Sequence, residues 1–361
     1  MKRLSSILFL AFLLIIASCN QYKNNYQLSE KSIYSESGNL HLLDSLLNDL
    51  YKEDKINGTV LVLKNNHPVF EKSYGFATAD KSKQLTKEYQ FIIGSIYKEF
   101  PAVAIMQLEE KKLLQLQNPI SQYIANLPEW ANSITIQHLL QYTSGLPTIN
   151  WNQLFQNNGN PTEKEVYDYI QEINHLEFQP GTNYLYTNCS PLLLIKIVEK
   201  ITNKKFEKYL NDSILKPNHI NGITLKDQFP YKNPSLMAMP FNYEYVPDSF
   251  KLSVKNLLLV SKAKSLGDWF YKLDRYHIIS EKSYKVLAKK FKAEDDFQAP
   301  LGNVIYDTKG NLIEHTHHGS SGNYECLARH FIQEELTIII LTNQKKRNLY
   351  ELSNLIKEVL K

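Results

Sequence analysis

Ser95 and Lys98 are the first residues in this chain whose types and spacing could do chemistry together. They stand in FIIGSIYKEFPAVAIMQLEE (residues 91–110), three positions apart, where a helix places both side chains on one face. A serine hydroxyl attacks a carbonyl well only when a neighbouring base takes its proton. Lysine can be that base if burial or nearby positive charge holds its pKa far below the solution value. The residues after Lys98 turn apolar (Phe100, Ala102, Val103, Ala104, Ile105, Met106), so the helix that carries the pair is expected in the core. The same spacing recurs at Ser213/Lys216 and Ser261/Lys264, where a solvated serine and a solvated lysine are expected. Gly94 and the apolar helix set Ser95 apart.

A second group is Tyr184-Leu185-Tyr186-Thr187-Asn188, after the Pro180-Gly181 turn and before a helix. Tyrosine near lysine can act as acid or base, and asparagine can orient both a lysine and a substrate amide. Tyr-x-Asn also occurs at Tyr22/Asn24, Tyr209/Asn211 and Tyr231/Asn233, where surface or turn tyrosines are expected. The third group is His315-Thr316-His317-His318-Gly319-Ser320-Ser321-Gly322. Strand alternation puts His315 and His317 on one face and His318 on the other. Two such histidines could share a metal ion, but the acid nearest in sequence, Glu314, faces away from them, so no metal site is expected. A glycine after such a strand residue lets a substrate approach the backbone, whose N–H groups could hold an oxyanion.

These groups need a scaffold. Leucines at helical spacing over residues 40–51 predict an amphipathic helix, and residues 58–63 and 68–75 predict a β-hairpin across Lys64-Asn65-Asn66. From Ser95 to about Pro300 the pattern is helices and loops. The serine helix is expected to run towards Leu116, with a short helix over 135–142, then helices over 162–175 and 192–211. Residues 218–250 read as an irregular, functional loop, and residues 254–291 as helices. Strands are expected within 303–318, 324–332 and 336–341, and a closing helix over 349–360. The fold class is therefore α+β: one antiparallel sheet built from both ends of the chain (about 39–92 and 301–361), with a mainly helical part (about 93–300) inserted between.

Among the 361 residues, 43% are hydrophobic and 22% charged, as in a globular protein, and a net charge of +4 is too small to argue for nucleic acid. Lys2 and Arg3 precede an apolar stretch, Leu8–Ile16, too short to span a bilayer. It ends Ile16-Ala17-Ser18-Cys19, which resembles a bacterial lipoprotein signal. That resemblance implies a signal peptide over 1–19, lipidation of Cys19, and an envelope protein anchored to a membrane and facing the periplasm or exterior. Residues 20–38 are polar and suit a tether. Cys189 and Cys326 remain in the mature part, with a disulfide and two buried thiols both open.

In order, Ser-x-x-Lys, Tyr-x-Asn and His-x-Gly resemble the three motifs of the serine β-lactamase and penicillin-binding-protein superfamily, most closely its class C-like branch of esterases and D-amino-acid peptidases. Tyr74-Gly75-Phe76-Ala77, ITIQHLLQYTSGLP (134–147), Phe178-Gln179-Pro180-Gly181 and Asn343 add to the resemblance, which covers about residues 40–361. It implies a β-lactamase/transpeptidase-like fold and a serine hydrolase that needs no cofactor. It also implies Ser95 as nucleophile, Lys98 as proton acceptor and Tyr186 as second acid/base. Asn188, His317, Gly319 and Ser320 would bind substrate, with the Ser95 and Ser320 N–H groups as oxyanion hole. The substrate would be a small ester or amide, or a peptide derived from peptidoglycan. The alternative is a penicillin-binding-like peptide binder or acyl trap that does not turn over. His317 stands where β-lactamases carry a lysine that binds the β-lactam carboxylate, so β-lactamase activity ranks below esterase or D-amino-acid peptidase activity. Tyr142 replaces a histidine, as a packing change, and Pro101 is expected to kink the serine helix.

Overall fold

The computed structural model describes residues 36–292 and 298–361, so the signal-like segment and Cys19 lie outside the described residues. Its strands are β1 (Gly58–Lys64), β2 (His67–Tyr74), β3 (Phe91–Ile92), β4 (Ile223–Leu225), β5 (Leu259–Ser261), β6 (Asn303–Tyr306), β7 (Leu312–Ser321), β8 (Tyr324–Phe331) and β9 (Leu336–Thr342). Helices α1 (Glu36–Lys52), α2 (Glu99–Glu110), α3 (Ile136–Leu140), α4 (Trp151–Asn158), α5 (Glu163–Gln171), α6 (Cys189–Thr202) and a short α7 (Phe206–Tyr209) come before the large loop of residues 218–250. After it come α8 (Ala263–Asp274), α9 (Glu281–Ala288) and α10 (Leu349–Val359).

The main sheet has the order β2-β1-β9-β8-β7-β6, so both ends of the chain meet at the β1–β9 pairing. Every neighbouring pair in it is antiparallel. β1 and β9 carry the apolar runs 60–63 and 338–341 because both of their faces are covered. Leu61, Leu63, Ile339 and Leu341 enter the large core shared with the helical part. Val60, Val62, Ile338 and Ile340 alternate to the opposite face, under Leu43, Leu47, Leu352 and Ile356 of α1 and α10. On the first face α8 packs against β9, β8 and β1. Gly267 makes room there, since a Cβ on it would stand 2.6 Å from Leu63 Cδ1. Asn57 and Asn343 tie the two ends together: Asn57 Nδ2 donates to Asn343 Oδ1 (2.7 Å), while Asn343 Nδ2 donates to Met239 O (2.8 Å).

Several boundaries differ from the sequence reading. The first helix starts at Glu36, inside the segment read as tether. Ser95 lies on a 3-10 turn, Gly94–Lys98, which passes directly into α2, and α2 stops at Glu110 rather than near Leu116. Pro101 falls in the first turn of α2, where the N–H it lacks would have no partner within that helix, so no kink follows from it. The helix read over 192–211 is α6 ending at Asn203 in the left-handed region, then α7 and a π turn over Leu210–Leu215. A small antiparallel sheet, β3-β5-β4, joins the serine segment to stretches read as loop and helix. Cys189 and Cys326 are buried free thiols, which closes the disulfide alternative. No helix among the described residues is long and apolar enough to cross a membrane.

Candidate active site

The 3-10 geometry of Gly94–Lys98 decides how Ser95 and Lys98 meet. With three residues per turn, side chains at i and i+3 eclipse one another. Lys98 Nζ accordingly reaches Ser95 Oγ at 3.2 Å. Ser95 is half-buried at the surface of a segment whose neighbours Gly94, Ile96, Tyr97 and Lys98 are buried. Lys98 is 4% exposed and burial pushes its pKa down from 10.5 to about 7. Around the amine stand the rings of Tyr97 and Tyr186, each 4.7 Å from Nζ. A lysine in this setting can lose its proton near neutrality and accept one from the serine.

Tyr186 is brought in by the segment around Thr143-Ser144-Gly145. Gly181 N donates to Thr143 O (2.8 Å), Leu185 N to Tyr142 O (2.9 Å) and Glu177 N to Gly145 O (2.8 Å). Thr187 Oγ1 donates to Pro147 O (2.8 Å), fixing the residue after Tyr186. Gly145 holds a φ of +77°, and a Cβ there would meet Phe178 O at 2.2 Å, so only glycine suits this crossing. Tyr142 packs its ring 4.8 Å from that of Tyr186, consistent with a packing role. Burial pushes the Tyr186 hydroxyl well above its ordinary pKa, and the neighbouring Ser95 opposes that rise. Its Oη is buried and forms no hydrogen bond of acceptable geometry. Asn188, just before α6, accepts from Tyr97 Oη at 3.1 Å and faces the same cleft.

The opposite wall is β7. Gly94 (φ +53°) and Gly319 face each other across the gap to the serine turn. A Cβ on Gly94 would stand 2.2 Å from Ser320 N, and one on Gly319 would stand 1.9 Å from Ile93 O and 3.0 Å from Ser95 N. Two glycines thus let the Ser95 and Ser320 backbones approach closely, as an oxyanion hole made of their N–H groups requires. Ser95, Lys98, Asn188 and Ser320 line one cleft of about 400 Å³. A larger hollow of about 610 Å³ lies between α1, β1 and α10, but its lining holds no hydroxyl, thiol or imidazole.

His317 does not share that cleft wall. It is 2% exposed, and its Nδ1 lies 2.6 Å from Glu99 Oε1, behind the serine turn. Burial, His315 and Lys98 pull its pKa down, and Glu99 pulls it up; the net shift is down, leaving His317 neutral with Nδ1–H donated to Glu99. Gly319 acts through the space it leaves rather than by facing the cleft.

Glu99, next to Lys98, and Asp274 are the residues that sequence reasoning missed. Glu99 Oε2 accepts from Trp269 Nε1 at 2.6 Å. Asp274 accepts from Tyr284 Oη, His315 Nδ1 and His330 Nδ1, each at 2.7 Å. His315 also donates Nε2–H to Leu301 O at 2.8 Å. Burial opposes charge on His315, but Asp274 and Glu99 outweigh it and raise its pKa to about 10. Burial likewise works against the Glu99 carboxylate, yet His315 and His317 bring it down to about 2. The imidazoles therefore belong to a hydrogen-bonded carboxylate network under the cleft. The visible signal was a glutamate directly ahead of the apolar run 100–106, which a buried partner must satisfy.

The other motif copies fall elsewhere. Lys216 pairs with Asp212 and Lys264 with Asp268. Ser261 Oγ donates to Lys262 O. Tyr209 reaches Gln107 and Tyr231 meets Tyr324. His318 faces away from His315 and His317, as alternation requires, and meets Glu325 at 2.9 Å.

Comparison with known proteins agrees with this architecture. PbpX of Bacillus subtilis (strain 168), which carries the name of a penicillin-binding protein, is 26% identical over 325 residues, covering 87% of this chain and 78% of that protein. The crystal structure of a penicillin binding protein from Bacillus halodurans superposes with a TM-score of 0.75 at 22% identity, over 87% of this chain and 98% of the other. A D-amino acid amidase from Ochrobactrum anthropi SV3 gives 0.74 at 15%, over 89% and 98%. At these identities the structures share the fold. The Beta-lactamase family model matches residues 43–360, nearly the whole described chain. The chain belongs to the Beta-lactamase family and has its penicillin-binding-protein-like serine hydrolase fold.

Proposed function

We propose that the protein hydrolyses small esters or amides through an acyl-enzyme on Ser95. The observation that carries this reading is the buried Lys98, 3.2 Å from Ser95 Oγ with its pKa brought to about 7. Neutral Lys98 takes the Ser95 proton as Oγ attacks the carbonyl. The negative charge then growing on the carbonyl oxygen sits between the N–H groups of Ser95 and Ser320. Collapse of the tetrahedral species expels the alcohol or amine, which leaves with a proton passed from Lys98 through Tyr186. Water enters by the reverse proton path and releases the acid. Asn188 orients the substrate, and His317, held by Glu99, supports the serine turn and β7 from behind.

The likeness to a D-amino acid amidase and to penicillin-binding proteins favours amides of D-amino acids or peptides derived from peptidoglycan, with simple esters as surrogate substrates. The absence of lysine at His317 places β-lactams lower. The lipoprotein-like segment supports an envelope location through lipidated Cys19. The test is hydrolysis of p-nitrophenyl acetate and of D-alanyl and D-phenylalanyl amides by wild type beside Ser95→Ala. Steady turnover that disappears in the variant supports the reading. A single burst without turnover moves it to an acyl trap, and equal rates in both proteins contradict it.

A further inference from the structure

The cleft has two unlike ends. Ser95, Lys98, Asn188 and Ser320 converge at one, while the remainder is carbon-rich, formed by Trp151, Phe155, Phe250, Leu252 and Leu257. Trp151 and Phe155 are i and i+4 on α4, with ring centroids 6.2 Å apart and both half-buried, so they present one apolar surface. Asn150 caps that helix, its Oδ1 accepting from Gln153 N at 3.1 Å. On the other side Phe250 stacks on Phe229 (4.4 Å, 16°), and Leu252 exchanges backbone hydrogen bonds with Phe229 (2.6 and 2.8 Å). These walls are held in place before any substrate arrives.

Charge is distributed just as unevenly. Among the described residues that line the cleft, Lys98 is the one charged side chain, and it is committed to Ser95. The tip of β7 adds only hydroxyls, from Ser320 and Ser321. A carboxylate at that rim, Asp248, accepts from Asn323 N (2.8 Å) and sits 2.2 Å from where a Gly322 Cβ would be. An anionic group on the apolar walls would lose its water and meet no cation among the described lining residues other than Lys98.

We infer that the cleft selects substrates whose acyl group carries no carboxylate and bears an aliphatic chain or aromatic ring, seated against Trp151, Phe155, Phe250 and Leu252. This rests on the hydrolase reading for its chemistry, but the binding preference stands on the walls alone.

The test compares kcat/KM of the purified protein for p-nitrophenyl acetate, butyrate and hexanoate, with the monoglutarate ester as an anionic match in length. The expected result is a rise of roughly fourfold for each added methylene, with the glutarate ester at least tenfold below butyrate. Trp151→Ala should lower the hexanoate-to-acetate ratio at least fivefold, a ratio that does not depend on how much variant is folded. A flat series, or glutarate equal to butyrate, overturns the inference. Tryptophan fluorescence of Ser95→Ala protein titrated with hexanamide and with glutaramate reads the same preference without turnover. Saturable quenching by hexanamide alone supports it; equal response to both, or none to either, overturns it. Saturable hexanamide binding with no Ser95-dependent hydrolysis would remove the hydrolase reading and leave this inference standing.

Discussion

Replacing Lys98 with methionine should destroy activity and, near neutral pH, make the protein more stable. The folded state holds Lys98 at 4% exposure with its pKa lowered from 10.5 to about 7 by burial. At pH 7 that corresponds to roughly 4 kcal/mol against folding, at 1.36 kcal/mol per tenfold change in proton affinity. Methionine escapes this penalty. It also forfeits the contact to Ser95, about 1 kcal/mol, and two cation–π contacts of about 0.5–1 kcal/mol each. The net expectation is a gain of about 1–2 kcal/mol at pH 7. The sign of its pH dependence follows from linkage. Between pH 7 and 10.5 the unfolded chain keeps the proton that folded Lys98 has shed, so Lys98 makes stability rise with pH. The advantage of Lys98→Met should therefore shrink by about 2 kcal/mol between pH 7 and pH 9. The wild-type profile cannot display this by itself. His315, raised to about 10, contributes stability that is full below 6.5 and lost as pH climbs through 10, over the same range with opposite sign. The difference between wild type and variant removes that background. Urea unfolding of both proteins at pH 6.5, 7.5 and 9 measures it. The companion readout is a wild-type kcat/KM that rises with an apparent pKa near 7. A variant less stable than wild type by a constant amount at every pH would refute the claim that burial neutralises Lys98.

Tyr186→Phe should lower kcat by roughly two to four orders of magnitude with little change in the urea midpoint, since the hydroxyl has no partner to leave behind. Gly319→Ala should press a methyl group onto Ile93 O, part β7 from the serine turn, cost about 1–3 kcal/mol, and reduce kcat more than it raises KM. Glu99→Gln withdraws the carboxylate from His315, His317 and Trp269, and breaking such a buried pair costs roughly 3–5 kcal/mol. Its deficit against wild type should narrow as pH falls from 4.5 through about 2, below which Glu99 is protonated in the folded and the unfolded chain alike, and calorimetry in acid would show this.

Much of this arrangement was legible in the sequence because its signals are local. Ser95 and Lys98 lie within one turn, Tyr186 and Asn188 flank a helix start, and the apolar runs of β1 and β9 marked them as strands. What escaped depended on distance or brevity. β3, β4 and β5 have two or three residues each, too few for any periodicity, and they exist because the serine segment pairs with residues more than 130 positions away. Glu99 meets His317 across 218 positions, so no spacing rule couples them. That contact also explains why His317 lies beneath the cleft: its ring follows a buried carboxylate. The spacing of Ser95 and Lys98 predicts a helix without fixing its type, and the tighter 3-10 turn is what eclipses the hydroxyl and the amine.

The central claim is that Ser95 carries the acyl group, and intact-protein mass spectrometry of acid-quenched samples tests it most directly. With p-nitrophenyl hexanoate, the account predicts a hexanoyl increment during turnover, mapped by digestion to the peptide holding Ser95 and absent from Ser95→Ala. Hydrolysis that proceeds with no increment under rapid quench, or an increment on another residue that survives Ser95→Ala, would contradict it.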